Sequence, residues 1–179
     1  MRLLGAVLAG GLSRRFGSDK AEALLDGERL IDRVVAALTP QVDAVILCGR
    51  APGLPDRPVG GLGPLAGLNA ALHHARAHGF DAVLSVPCDA PYLPHDLRAI
   101  LGDGPAFIAD QPVIGIWPAA LADRLDVHLR GDDRSLRRWG RATGASARNA
   151  PPIANINTPA DLSALGLADQ SQPAPDEQL

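Results

Sequence analysis

The sequence predicts an α/β fold: a mostly parallel sheet with helices on both faces. Three observations lead there. Leu3–Leu8 is continuously apolar, as a strand buried on both faces would be, and it runs into the pair Gly10-Gly11. Strand-type and helix-type segments then alternate along the chain. The 179 residues suffice for one domain with a sizeable core.

The elements follow in order. After Leu3–Leu8 comes a glycine turn and a cationic loop. Residues 21–29 read as a connection holding the turn dipeptide Asp26-Gly27. Leu30, Val34 and Leu38 recur every four residues, with Ile31 and Val35 beside them, so a helix with one apolar face ends at Pro40. Val42–Cys48 reads as a second buried strand. Gly49–Gly63 is a Gly- and Pro-rich loop. Pro64 can open the next helix, marked by Leu65, Leu68 and Leu72 and stopped by Gly79. Ala82–Val86 is a third strand. Leu97–Leu101 is a short helix. Phe107–Ala109 and Val113–Trp117 fit a hairpin. Leu121, Leu125 and Leu129 mark a helix, and Leu136 and Trp139 anchor a short basic one. Thr158-Pro159-Ala160-Asp161 is a helix start, with Thr158 as cap. We expect one domain over residues 1–166. The Pro, Gln, Asp and Ser of 167–179 read as a disordered tail.

Composition narrows the function classes. Hydrophobic residues make up 46% and aromatics 3%, so the core is built from Leu, Val, Ile and Ala. A net charge of −3 speaks against general nucleic-acid binding. No apolar run approaches the roughly 20 residues of a membrane span, and the apolar stretch of residues 3–9, preceded only by Arg2, is expected to be too short for a secretory signal. A cytoplasmic location is expected. Cys48 and Cys88 form no C-x-x-C pair and read as reduced, half-buried residues.

In a parallel sheet the ligand sits at the carboxyl ends of the strands. The residues to inspect are therefore Gly10 and Gly11, Cys48 and Gly49, and Asp89. Glycines let a backbone approach a ligand, and Arg14, Arg15 and Lys20 beside them suit an anion. One unit pair at ~4 Å is worth roughly 1 kcal/mol in water and ~4 kcal/mol at an effective dielectric of 20. Several cations on a sheltered loop can thus hold a triphosphate. The pattern is neither G-x-G-x-x-G nor a P-loop, and a bare sharp turn is the other reading.

Asp89 lies on a stiff turn between Pro87 and Pro91. Beside a triphosphate its carboxylate needs an intervening divalent cation, and Mg²⁺ suits carboxylate plus phosphates; an ordinary turn is the alternative. Asp56 could be a second acid near the nucleotide or a plain loop residue. Gly63-Pro64-Leu65-Ala66-Gly67 offers a helix amino terminus, which attracts anions. Asn155 and Asn157, two apart on an extended segment, point the same way and could read a polar heterocycle. His74 and His78 have an i, i+4 spacing that reads mainly as an exposed helix face. Arg134, Arg137, Arg138 and Arg141 form a solvated run or a surface for an acidic partner.

Taken in order, four motifs resemble the molybdenum cofactor guanylyltransferase family. They are Leu8-Ala9-Gly10-Gly11 through Arg14-Arg15-Phe16-Gly17 and Asp19-Lys20; Gly63-Pro64-Leu65-Ala66-Gly67; Pro87-Cys88-Asp89-Ala90-Pro91-Tyr92-Leu93-Pro94; and Asn155-Ile156-Asn157-Thr158-Pro159. The resemblance implies a Rossmann-like three-layer nucleotidyltransferase fold. It implies transfer of GMP from GTP to Mo-molybdopterin with release of pyrophosphate. By the same resemblance Leu8, Ala9, Gly10, Lys20, Asp56 and Asp89 contact the nucleotide. Arg15, Lys20 and Asp89 carry catalysis, Asp89 binds Mg²⁺, and Asn155 and Asn157 lie on the pterin side. A recipient molybdoenzyme or its chaperone is the expected further partner. Two departures stand out: Cys48 replaces a frequent asparagine, and Phe107–Trp117 is short. The alternatives are a CTP-dependent molybdopterin cytidylyltransferase, a sugar-phosphate nucleotidyltransferase, and a non-catalytic delivery module for nucleotide or cofactor. Leu-Ala-Gly-Gly and Pro-Cys-Asp-x-Pro favour guanine over cytosine.

Overall fold

The computed structural model describes residues 1–10, 20–60, 62–158 and 160–161. The chain begins with β1 (Leu3–Leu8). A small antiparallel hairpin follows, β2 (Leu24–Leu25) and β3 (Glu28–Arg29). Its turn residues Asp26 and Gly27 both have positive φ, 52° and 83°. That is the two-residue turn whose twist matches paired strands, so the expected turn dipeptide closes a hairpin. Then come α1 (Leu30–Leu38), β4 (Ala44–Cys48), α2 (Pro64–Ala77) and β5 (Ala82–Pro87). The second half holds α3 (Leu97–Leu101), β6 (Ala106–Ile108), β7 (Gly115–Pro118), α4 (Ala122–His128), α5 (Leu136–Thr143) and β8 (Ser146–Arg148).

Six strands form one sheet in the order β4-β1-β5-β7-β6-β8. β4, β1 and β5 are parallel; β7 is antiparallel to both neighbours; β6 and β8 are parallel to each other. Only β7 is reversed, so the other five strands end on one edge.

Side chains of β1 alternate between two cores. Leu3 and Val7 pack with Ile31, Val34 and Leu38 of α1 and Leu97 and Leu101 of α3. Leu4, Ala6 and Leu8 pack with Leu65, Leu68 and Leu72 of α2 and with Leu125 and Trp139 of α4 and α5. Helices therefore cover both faces, which explains why β1 is apolar at every position. A methyl group on Gly5 would meet Leu38 Cδ2 at 2.8 Å, so this strand glycine lets α1 sit close.

Two sequence expectations need adjustment. Val42–Cys48 is no fully buried strand: it starts at Ala44, is half-exposed along most of its length, and lies at the sheet edge with one neighbour in the sheet. The strand β8 was not anticipated, because Ser146-Ala147-Arg148 is short, exposed and lacks an apolar pattern. The expected hairpin of residues 107–109 and 113–117 is the β6–β7 pair, with Phe107 opposite Gly115. The expected tail over 167–179 lies outside the described residues.

Candidate active site

The parallel strands fix the site through their register. Leu8 lies opposite Cys48 on one side and Pro87 on the other. Neighbouring strands run about 4.8 Å apart, so residues just beyond these three positions emerge side by side. Two hydrogen bonds extend the pairing: Ala9 N–H donates to the Cys48 carbonyl (2.8 Å) and Cys88 N–H to the Leu8 carbonyl (3.3 Å). The sequence thus puts Gly10, Gly49 and Asp89 along one short stretch of edge.

Gly10 and Gly49 are in backbone contact. A methyl group on Gly10 would stand 2.9 Å from Gly49 Cα and 3.0 Å from both carboxylate oxygens of Asp56. Gly49 itself has φ +86°, a conformation glycine tolerates. Asp56 Oδ1 also lies 3.4 Å from the corresponding point on Gly67, in the first turn of α2. Three glycines therefore surround one carboxylate. Asp56 is half-buried, and burial raises its pKa above the ordinary 3.8. The Cys48 thiol beside it is pushed up to about 12, first by burial and then by the Asp56 charge. A cavity of about 410 Å³ opens here, lined by Gly49, Arg50, Pro55, Asp56 and Val59. Its size suits a small ligand.

Asp89 follows β5 and is half-buried. Its carbonyl accepts from Ile156 N–H at 2.9 Å, which ties the Asn155–Asn157 segment to this turn. Ile156 is fully buried against Leu25 and Leu30. Asn155 is half-buried and Asn157 exposed; the amide oxygen of Asn155 is buried and finds no hydrogen-bond donor among the described residues. Asn157 N–H and Thr158 N–H both donate to Asp161 Oδ2 (2.8 Å each), and Asp161 N–H donates to Thr158 Oγ1 (3.2 Å). The expected Thr158 cap is therefore a reciprocal capping box.

Leu8, Ala9, Gly10, Asp56 and Asp89 are thus brought to one edge, with Asn155 and Asn157 joined to it through Ile156. Arg14 and Arg15 lie outside the described residues. Lys20 opens a 3-10 turn over Lys20–Glu22, and its side chain also lies outside them. Glu22, at the end of that turn, pairs with Arg50 at 2.8 Å and Arg29 at 3.1 Å. The first ion pair holds the end of the cationic loop against the strand end that carries Gly49.

Residues 5–147 match the MobA-like NTP transferase domain family. A Rhodobacter capsulatus protein described as molybdenum cofactor guanylyltransferase is 40% identical, with 90% of this chain and 94% of that one aligned. A Sinorhizobium fredii protein of the same description is 37% identical over 90% of this chain and 89% of its own. The chain belongs to the molybdenum cofactor guanylyltransferase family. It is accordingly a nucleotidyltransferase. The fold is shared with the Archaeoglobus fulgidus molybdopterin-guanine dinucleotide biosynthesis protein A (TM-score 0.67, 22% identity, 94% and 100% of the two chains). It is shared as well with a 4-diphosphocytidyl-2C-methyl-D-erythritol synthase (TM-score 0.65, 12% identity, 93% and 99%).

Sequence reasoning missed a polar cluster behind the Asp56 loop of this family member. Asn69 is fully buried on α2, where its neighbours are Leu and Ala. A lone polar residue in a helical apolar run was the available signal. His73, Asp123 and Asp126 bring ligand atoms within 4.8 Å of one another. Arg57 forks onto both oxygens of Asp126 (3.1 Å each), and Arg76 Nη1 lies 2.7 Å from Asp123 Oδ2. The carboxylates are already neutralised by guanidinium groups, so this is an ion-pair network and a poor cation site. His74 and His78 stack with ring centroids 3.9 Å apart, and His78 Nδ1 bonds the His74 carbonyl; the i, i+4 pair closes the carboxyl end of α2, where His78 is exposed. Arg137 and Arg141 are exposed on α5.

Proposed function

We propose that the chain transfers GMP from GTP to Mo-molybdopterin, forming the guanine dinucleotide cofactor and pyrophosphate. The observation that carries the reading is the Asp56 carboxylate, held among Gly10, Gly49 and Gly67 at the strand ends beside an open cavity. A half-buried carboxylate there accepts from the N–H and O–H donors of a nucleoside. Family membership and the descriptions of the relatives support guanine as the base.

In this reaction an oxygen of the molybdopterin terminal phosphate attacks the α-phosphorus of GTP. A P–O bond forms, the α–β bond breaks, and pyrophosphate leaves with the bonding electrons. The acceptor is already an anion, so no protein nucleophile is needed. The chain's work is alignment and charge neutralisation. Leu8, Ala9 and Gly10 bring the backbone close to the nucleotide. Arg15 and Lys20, on the cationic loop, offset charge on the phosphates and on the leaving pyrophosphate. Asp89, a hard oxygen donor on a turn anchored by Ile156, fits Mg²⁺, which when bound would offset negative charge at the transferred phosphate. Asn155 and Asn157 present amides to the pterin.

The proposed location is the cytoplasm. The described residues contain no helix long and apolar enough to cross a membrane. Delivery to a recipient molybdoenzyme or its chaperone completes the proposal. The test compares GTP with CTP by calorimetry in the presence of Mg²⁺, followed by pyrophosphate release with Mo-molybdopterin. Preference for GTP and release of pyrophosphate are expected; preference for CTP, or binding without turnover, sinks the proposal.

A further inference from the structure

The loop carrying Asp56 is held from behind by side chains of two helices. Arg57 N–H donates to the Ala66 carbonyl on α2 at 3.0 Å. The Arg57 carbonyl accepts from Asn69 Nδ2 at 3.1 Å. Both backbone polar groups of the residue next to Asp56 are therefore tied to α2. Asn69 Nδ2 also donates to Asp126 Oδ1 at 2.7 Å. Asp126, on α4, accepts the two-pronged guanidinium of Arg57 and the Nε2 of His73 at 3.0 Å. Arg76 Nη2 donates to His73 Nδ1 at 3.3 Å, so the histidine carries its proton on Nε2 and donates it to Asp126. One carboxylate collects donors from the loop and from two positions on α2.

We infer that Asp126, with Asn69 and Arg57, is a positioning unit that holds the Asp56 carboxylate at the nucleotide end of the sheet. The inference rests on the guanylyl-transfer reading of the site. Three features favour positioning over plain stability. Asn69 is fully buried and its amide oxygen has no hydrogen-bond partner among the described residues, a cost in free energy that a purely stabilising residue would not carry. Its amide nitrogen spends both hydrogens on the loop carbonyl and on Asp126. The Arg57 fork onto Asp126 is two-pronged, Nε to Oδ1 and Nη2 to Oδ2, so it fixes direction as well as distance. On its upstream side the loop is fastened to β4 as far as Leu54, by Gly49 N–H to the Leu54 carbonyl and Leu54 N–H to the Leu47 carbonyl (2.8 Å each); this frame fastens the side downstream of Asp56.

The test is a steady-state and calorimetric comparison of Asp126→Ala, Arg57→Lys and Asp56→Asn with the wild type. Asp126→Ala is expected to raise KM for GTP and weaken GTP binding roughly tenfold, with kcat within about twofold. Arg57→Lys keeps the charge and loses the fork, so its KM is expected between wild type and Asp126→Ala. In an Asp56→Asn background, Asp126→Ala is expected to add less than about twofold, since the carboxylate it positions is gone. Should Asp126→Ala fail to fold, Arg57→Lys carries the same comparison. Unchanged GTP affinity in a folded variant, an effect confined to kcat, or full multiplication of the two substitutions overturns the inference. Wild-type protein that does not bind GTP overturns the guanylyl-transfer reading instead, and the two failures are thereby told apart.

Discussion

A side chain on Gly10 would begin 3.0 Å from both carboxylate oxygens of Asp56. The turn after the first strand and the loop after the fourth are therefore in contact, although 45 residues separate them in sequence. Gly10→Ala cannot be absorbed by a flexible neighbour, because Gly49 Cα blocks the same point at 2.9 Å. The variant is expected to lose about 1–3 kcal/mol of stability and at least tenfold in GTP affinity. Thermal melting and calorimetry check the two effects separately.

Asp56 and Asp126 should respond to pH in opposite ways. Burial raises the Asp56 pKa above 3.8, so ionising it opposes folding. Its contribution is present below pH 3.8 and is lost as pH rises through the raised value. Asp56→Asn should therefore melt above wild type at pH 7, with the advantage vanishing below pH 3.8. The Arg57 fork holds Asp126 well below the ordinary carboxylate range, so its contribution is present above pH 3.8 and is lost as pH falls through the depressed value. Asp126→Asn should melt below wild type at pH 7, and the deficit should close in acid. Melting curves from pH 2 to 7 decide both signs.

Cys48 should resist alkylation. A thiol pushed up to about 12 is thiolate to roughly one part in ten thousand at pH 8. Cys88 is only partly buried. Intact-mass analysis after brief iodoacetamide treatment should show at most one adduct on the native protein, mapped to Cys88. A second adduct appears once the protein is denatured. Early labelling of Cys48 would contradict its enclosed setting.

Asp89→Ala should leave the fold intact and abolish Mg²⁺-dependent turnover, by more than about a hundredfold. The Ile156 hydrogen bond is to the main chain and survives the substitution. Pyrophosphate release at rising Mg²⁺ concentration is the measurement. Normal turnover would remove Asp89 from the proposed metal site.

Much of the fold was legible because its signals are local. The four-residue period of α1, the proline that opens α2 and the apolar run of β1 each speak for themselves. Strand order is not local. Nothing in Ala44–Cys48 says that it will be an edge, and nothing in Ser146–Arg148 says that it will pair with β6. The candidate site was legible where it follows a strand, as at Gly10 and Asp89. Asp56 sits inside a loop, and its closeness to Gly10 emerges only when β4 is laid beside β1. Asn69 leaves a signal as a lone polar residue in an apolar run, but its pairing with Asp126 does not: their meeting needs α4 to return to α2 after the sheet has been built.

The reversed direction of β7 has an architectural consequence. It folds the β6–β7 turn, residues 109–114, back to the edge where β1 and β5 end, and it lets β8 deliver the chain to Asn155 there. That flank is assembled from short strands joined by a brief connection. Lengthening or trimming that connection alters a flank that β5 separates from the Gly10, Gly49 and Asp56 cluster, which stays put. Under the proposed pterin-side placement of Asn155, a change of acceptor would be accommodated on this flank and leave the turn at Gly10 as it is.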